Sequence, residues 1–223
     1  GEFKIKNIIL PSKSTHIFSL KKNVLKTFNE FKKSIFKIKN VTMSQSKQQP
    51  SAPYITSTIQ QDASNKLGMS PKNTMSNLQK LYEKGKITYM RTDSKIISDD
   101  CINSIKKYIL DNYGNEYYQF RKYTNNSKNT QEAHECIRPV NIMIDVLDDS
   151  FNNYEQKLYS MIWKRTIACQ MKDLLKDVMK IKIENNKNQI YFICLFEKIV
   201  FLGFGIIYNY EKLNEIDSIK NII

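Results

Sequence analysis

The sequence predicts an α+β fold in which a mainly helical segment is inserted into a β-rich domain. Three observations carry that expectation. Both ends of the 223-residue chain alternate apolar and polar residues at strand-like spacing. A polar stretch with two prolines, MSQSKQQPSAP at 43–53, reads as a linker. Between the ends, apolar residues recur at helical spacing, and the segments are bounded by Ser, Pro and Gly. The expected domains are residues 1–49, 50–172 and 173–223, with the first and last pairing as one.

Taken in order, FKIKNIIL and THIFSL within 3–20 read as strands. Residues 21–34 carry Val24, Leu25, Phe28 and Phe31 at helical spacing, and SIFKIKNV reads as a further strand. Past the linker, Thr56 or Ser57 is placed to cap a helix ending at Leu67, with Gly68 in the left-handed position beyond it. Ser70 caps a second helix with Pro71 in its first turn, where a missing N–H costs nothing. Two helices joined by the turn Gly68-Met69-Ser70 read as a helix-turn-helix, and KITYM follows as a short strand, the order of a winged helix. Ser98 opens a third helix, with Asp99 and Asp100 where the helix dipole favours acids and an apolar stripe of Ile102, Ile105 and Ile109. A fourth spans about 151–171. VMKIKIE, the turn NNKN and QIYFICLFEKIVF then read as a hairpin.

Composition narrows the partners. A net charge of +13 and a pI near 9.4 favour a polyanion, usually nucleic acid, although an A/T-rich coding bias toward Lys, Asn and Ile also raises lysine. Arginine occurs only at 91, 121, 138 and 165, and two of these lie in the densest motifs. Where a lysine-rich chain still uses arginine, the planar bidentate fork is a reason for it. Cys101, Cys136, Cys169 and Cys194 form no CxxC pair, so a zinc ribbon is not expected in this segment, and they read as reduced thiols of an intracellular protein. No apolar run reaches membrane-span length. Gly1-Glu2-Phe3 reads as a cloning remnant or as native chain.

Chemistry concentrates in two stretches. In ITYMRTDS, at 87–94, extended backbone points Tyr89 and Arg91 to one face. A phenol with an ordinary pKa of about 10 is a nucleophile toward a phosphodiester and a fair leaving group, and Arg91 is placed to stabilise charge on the phosphate. Spacing alone is weak support, because most of the 13 tyrosines in such a chain are packing residues. In QEAHECIRP, His134 sits among charges, where it donates to a phosphate, orients an acid or is a plain surface histidine. Arg138 clamps a phosphate or pairs with Glu135.

Together, PYITSTIQQDASNKLGMSPKNTMSNLQKLYEKGKITYMRTDS and QEAHECIRP closely resemble the type IA DNA topoisomerases, in particular the bacterial-type topoisomerase I branch, with further similarity in LYSMIWKRTIACQM. The resemblance is strong over about 50–172 and weaker in the flanks. It implies that Tyr89 is the nucleophile, forming a 5′-phosphotyrosine, with Arg91 on the scissile phosphate. It implies supporting roles for Asp93, His134 and Arg138, and DNA contacts from Arg91, Arg138, Ser57 and Gln60. Asp62 and Cys136 depart mildly from the family pattern, standing where Glu or Ala, and Ala, are common.

The resemblance also implies a catabolite-activator-like tyrosine domain inserted in part of a β-rich arch, acting as a monomer on single-stranded or underwound DNA without ATP. Mg²⁺ would be held by an acidic domain not found in this segment; the pairs at 99–100 and 148–149 are better explained as helix starts. On this reading the segment alone does not relax DNA. The location is the cytoplasm or nucleoid of a bacterium, or otherwise viral or organellar. A winged-helix DNA-binding module without chemistry, or a lysine-rich interaction domain, shares the charge but not the joint occurrence of the two motifs.

Overall fold

The computed structural model describes residues 2–5, 8–17, 19–125 and 135–220. The chain divides into two compact units. One, β-rich, comprises Gly1–Lys47, Leu175–Leu202 and Glu211–Ile223; the other, mainly helical, comprises Gln48–Leu174 and Gly203–Tyr210.

In the β-rich unit, β1 (Glu2–Ile5) and β2 (Ile8–Pro11) form an antiparallel pair. A second, four-stranded sheet contains β3 (Lys13–Ser14), β4 (Phe36–Gln48), β5 (Leu174–Asn185) and β6 (Phe192–Phe201) in the order β3-β6-β5-β4. Its core follows from the period of two along a strand. Met179, Ile181 and Ile183 of β5 lie opposite Phe196, Cys194 and Phe192 of β6, and all six are buried. Leu10 joins them, as do Ile216 and Ile219, which a short helix at 216–220 carries. Phe3, Phe31 and Phe36 pack around Phe192 edge to face, with centroids 5.2–5.8 Å from its ring. The hairpin turn is held by Asn185, whose Oδ1 accepts from the N–H of Lys187 and Asn188, both at 2.9 Å.

Three sequence expectations change here. The described residues of THIFSL form no strand, and β3 reaches only Lys13–Ser14. The first half of the expected linker belongs to β4, which runs through Gln48. As the edge strand of its sheet it is exposed almost throughout, so polar residues are tolerated there and a strand reads like a linker. The segment Gly203–Tyr210 belongs to the helical unit. A 3₁₀ turn at Gly203–Tyr208 buries Phe204 and Ile207, and the N–H of Phe204 donates to Lys172 O at 2.8 Å. Helix α1 (Lys21–Phe31) forms as the spacing predicts.

Gly203 has φ +48, and an added Cβ would overlap the Asp173 and Lys172 carbonyls. Gly203→Ala is expected to lower stability by at least about 2 kcal/mol, because it combines a left-handed backbone with a clash against main chain. Chemical denaturation of the variant checks this, and an unchanged midpoint would contradict it.

The helical unit is built from α2 (Thr56–Leu67), α3 (Pro71–Glu83), α4 (Asp99–Tyr113) and α5 (Asn153–Ala168). Gly68 is left-handed at φ 65 and ends α2; the Ser70 hydroxyl accepts from the Asn73 N–H at 3.3 Å and Pro71 starts α3. Helices α2 and α3 present Ile59 and Ala63, and Thr74, Leu78 and Leu81, as buried stripes. On α4 the buried stripe is Cys101, Ile105 and Ile109, with Ile102 only half-buried. Asn152 caps α5 by accepting from the N–H of Tyr154 and Glu155, and Glu155 accepts back from the Asn152 N–H. The buried Glu155 carboxylate lies 3.9 Å from Lys80 of α3 and 3.7 Å from Lys84, the C-cap of that helix.

Two further corrections concern the start of α2 and the segment after α3. Neither Thr56 nor Ser57 caps α2. Its N-cap is Ile55, whose N–H donates to Thr58 Oγ1 at 3.0 Å. KITYM forms no strand; Ile87 makes one isolated antiparallel bridge to Pro139. The reason lies in side-chain hydroxyls that take up main-chain groups here: Thr88 bonds Cys136 O and the Arg138 N–H, and Thr56 of α2 bonds Met90 O and the Thr92 N–H.

Candidate active site

From Thr88 to Ser94 the chain alternates in burial although it joins no ladder. Met90, Thr92 and Ser94 are buried and Thr88 is half-buried, whereas Tyr89, Arg91 and Asp93 are exposed. The period of two thus holds without a partner strand, because each inward residue has its own anchor. The Thr88 hydroxyl donates to Cys136 O at 2.6 Å and accepts from the Arg138 N–H at 2.9 Å. The Thr88 N–H donates to Arg138 O at 2.9 Å. Met90 is fully buried, and its carbonyl accepts from the Thr56 hydroxyl at 2.8 Å. The Thr92 N–H donates to Thr56 Oγ1 at 2.9 Å, while the Thr56 N–H donates to Thr92 O at 2.9 Å. Ser94 Oγ accepts from the Ile96 N–H and from Asn125 Nδ2, each at 3.2 Å.

These bonds bring the two motifs together. Residues 136–140 run beside 86–88, with the Val140 N–H donating to Lys86 O at 3.0 Å and the Ile137 N–H donating to Tyr54 O at 2.8 Å. Cys136 is wholly buried, and burial pushes its thiol well above its ordinary value. All four cysteines are buried and unbridged.

The arginines separate by role. Arg121 pairs with Asp173 at 2.5 Å and donates to Met171 O. Arg138 bonds Glu135 through Nε at 2.8 Å and Nη2 at 2.5 Å, and also donates to Pro139 O at 3.0 Å. Of the two readings of Arg138, the pairing with Glu135 is the one seen here. Arg165 stacks on the Tyr54 ring, 4.5 Å from its centroid, and its Nε is buried without a hydrogen-bond partner among the described residues. Arg91 is the exposed arginine, and it makes no hydrogen bond or ion pair to another described residue. A guanidinium presented in this way keeps its donors for a ligand.

Among the tyrosines, burial excludes several as nucleophiles. Tyr54 is 2% exposed and donates to Asp62 Oδ2 at 2.6 Å; burial, then that bond, drives its phenol far above the usual range. Burial also pushes Tyr159 and Tyr208 up to about 12. Asp62 is raised by burial, but the Tyr54 hydroxyl, Lys66 and Arg165 outweigh this and hold it below its ordinary value. Tyr89 is 41% exposed, and its ring meets Tyr82 of α3 edge to face at 5.3 Å.

On α2, Ser57 is exposed and Gln60 half-buried, adjacent to the Thr56 that ties the helix to the Tyr89 segment. Asp93 is exposed beside Arg91 in sequence. His134 lies outside the described residues. Sequence reasoning missed Thr56, Asn125 and Tyr82. The run of Thr88, Thr92 and Ser94 at even spacing carried a signal for anchoring, since hydroxyls alternating with Tyr, Arg and Asp have to face inward. Among the described residues, no three His, Cys, Asp or Glu side chains gather in a metal-holding arrangement, so the described residues do not fit a Mg²⁺ site. No described helix is long and apolar enough to cross a membrane.

The positive charge is uneven. The β-rich unit has eighteen lysines and eight acidic residues, with no arginine; the helical unit has seventeen basic and fourteen acidic residues. Most of the net charge of +13 therefore lies on the β-rich unit.

Comparison with known proteins agrees over nearly the whole chain. A family model described as DNA topoisomerase matches residues 2–222. The chain is 43% identical over 198 residues to a DNA topoisomerase 1 of prokaryotic type from Acanthamoeba polyphaga mimivirus, covering 85% of this chain and 23% of that protein. It is 38% identical over 236 aligned residues to DNA topoisomerase 1 of Rickettsia prowazekii, covering 96% of this chain and 30% of the relative. The solved structure of full-length topoisomerase I from Thermotoga maritima superposes with a TM-score of 0.74 at 27% identity, covering 96% of this chain and 36% of that one. The chain thus spans about a quarter to a third of the length of these relatives. With a family model matched over residues 2–222 and relatives above the 30% level covered over most of this chain, the chain belongs to the bacterial-type, type IA family of DNA topoisomerases.

Proposed function

We propose that this chain is the tyrosine-bearing part of an enzyme that breaks one DNA strand, lets another pass and reseals the break. The observation that carries the reading is the anchored alternation at 88–94, which presents Tyr89, Arg91 and Asp93 at the surface of a chain of this family. Tyr89 Oη bonds to phosphorus as the P–O3′ bond breaks, and the electron pair leaves on the 3′ oxygen. The phenol gives up its proton and the released 3′ oxygen gains one. One phosphodiester replaces another, so the bond is conserved and the free 3′-hydroxyl reverses the step without ATP. Arg91 stabilises charge on the phosphate through its guanidinium fork.

Asp93 and His134 support the cleavage site in this reading, and Ser57 and Gln60 contact the strand along α2. Arg138 reaches DNA only by exchanging its bonds to Glu135 and Pro139; otherwise it holds the 135–139 segment. The helical unit is assigned as the tyrosine domain with its helix-turn-helix, and the β-rich unit as part of the arch. Mg²⁺, a cofactor of the family, would neutralise phosphate charge. The enzyme acts as a monomer, prefers single-stranded or underwound DNA, and works where the genome is held.

A salt titration against labelled single-stranded and duplex DNA tests the binding half. The expected result is weak binding to both, tighter to single strands, falling steeply with salt as counterion release loses its advantage. Tight binding to one duplex sequence would favour a winged-helix regulator. Binding insensitive to salt would overturn the DNA assignment. Trapping a covalent adduct in the full-length protein tests the chemical half.

A further inference from the structure

We infer that Thr56, at the start of α2, is a positioning residue that sets the main chain around Arg91 for strand cleavage. The inference rests on the proposed role of Tyr89 and Arg91 and adds a residue that touches neither. Thr56 bonds the main chain of Met90 and Thr92, the residues on either side of Arg91, in three ways. Its hydroxyl donates to Met90 O at 2.8 Å, with Thr92 O also within reach at 3.0 Å. The same oxygen accepts from the Thr92 N–H at 2.9 Å. Its own N–H donates to Thr92 O at 2.9 Å. One side chain therefore uses both its donor and an acceptor on residues 90 and 92.

Helix capping does not need this hydroxyl. The residue is the first of α2 rather than its N-cap, its hydroxyl bonds only to Met90 and Thr92, and the N–H of the N-cap Ile55 is taken by Thr58 Oγ1. Nor is Thr56 a buried core residue whose loss would open a cavity, since it is half-buried. Its bonds hold only the segment bearing the exposed triplet. On the other side of Tyr89, Thr88 makes the corresponding tie to Cys136 and Arg138. The nucleophile and the arginine thus sit on a bridge with two fixed ends, and Thr56 fixes the end next to Arg91.

This placement also links α2 to the chemistry. Ser57 and Gln60 follow Thr56 on the same helix, so a strand seated along α2 is referenced to Arg91 through the Thr56 bonds rather than through a flexible loop. Preorganisation of this kind changes the rate of the bond-breaking step and leaves affinity alone, because the contacts to the strand are unaltered.

The test uses the full-length protein with Thr56→Val, which keeps the shape and removes the hydroxyl, and Thr56→Ser, which keeps the hydroxyl. Three quantities are read for each: the single-turnover cleavage rate on a labelled single-stranded oligonucleotide at saturation, the Kd from fluorescence anisotropy, and Tm. The expected result is a cleavage rate about tenfold lower or worse for Val, with Kd close to wild type, a modest fall in Tm from the Thr92 N–H and Met90 carbonyl left unpaired, and recovery of most of the rate by Ser. A Val variant that cleaves at the wild-type rate overturns the proposal. So does a Ser variant as slow as Val, which would assign the effect to packing of the methyl group, or a loss confined to Kd or to Tm. If wild type forms no covalent adduct, the Tyr89 reading falls and Thr56 with it. If wild type forms one and Val matches it, only the role of Thr56 falls.

Discussion

Tyr89→Phe in the complete enzyme is expected to abolish the covalent DNA adduct and relaxation, while DNA binding and Tm stay close to wild type. The substitution removes one oxygen. The ring keeps its edge-to-face contact with Tyr82, centroids 5.3 Å apart, a contact worth about 0.5–1.5 kcal/mol. Tyr89 is 41% exposed and its hydroxyl is bonded to no described residue, so no buried partner is left unsatisfied. Loss of a nucleophile is felt on the scale of about 10⁴-fold or more. Denaturant trapping of the protein on a labelled single strand measures it. Adduct persisting in Tyr89→Phe but absent in Tyr82→Phe would move the chemistry to the neighbouring phenol. Adduct persisting in both would remove it from this pair altogether.

Much of the fold was legible because its signals are local. Gly68, Ser70 and Pro71 each need a particular backbone or lack a particular donor, and they mark the turn between α2 and α3 where the structure has it. The β5–β6 hairpin declared itself through Met179, Ile181 and Ile183 on one face and the asparagine turn after them. What failed depends on long-range partners. The outer half of β4 is polar because an edge strand is wet on both faces, and composition cannot tell that from a linker. The return of Gly203–Tyr210 to the helical unit depends on Phe204 and Ile207 finding a core that the adjoining sequence does not announce.

The candidate site shows the same division. Extended geometry was right in presenting both Tyr89 and Arg91 outward, and the short strand expected for it, KITYM, was not. Alternation survives because Thr88, Thr92 and Ser94 replace ladder bonds with side-chain bonds to Cys136, Thr56 and Asn125. Those partners lie 31 to 48 residues away in sequence. A hydroxyl's local options are visible in a sequence, and its distant partner is not. Thr56 was read as a cap because capping is the local option.

Arg91→Lys is expected to slow cleavage by roughly 100-fold or more, with little effect on Tm and only a modest rise in Kd. Lysine keeps the charge, so long-range attraction to the phosphate backbone persists, and most of the net charge lies on the β-rich unit in any case. What is lost is the fork of parallel donors that can hold two phosphate oxygens as charge shifts between the attacking and leaving atoms. Removing one such preorganised donor costs about 2.7–4 kcal/mol of barrier, which is the scale of the predicted slowing. The fold has little stake in the guanidinium, because Arg91 is exposed and makes no hydrogen bond or ion pair to another described residue, unlike Arg121 and Arg138. The same change at Arg138 serves as the contrast. There the guanidinium holds Glu135 and Pro139, so Arg138→Lys should lower Tm before it changes the chemistry of a folded molecule. Single-turnover cleavage set beside thermal melting for the two variants separates the roles. An Arg91→Lys protein that cleaves at the wild-type rate would mean that Arg91 supplies charge alone, and the clamp would have to be sought elsewhere.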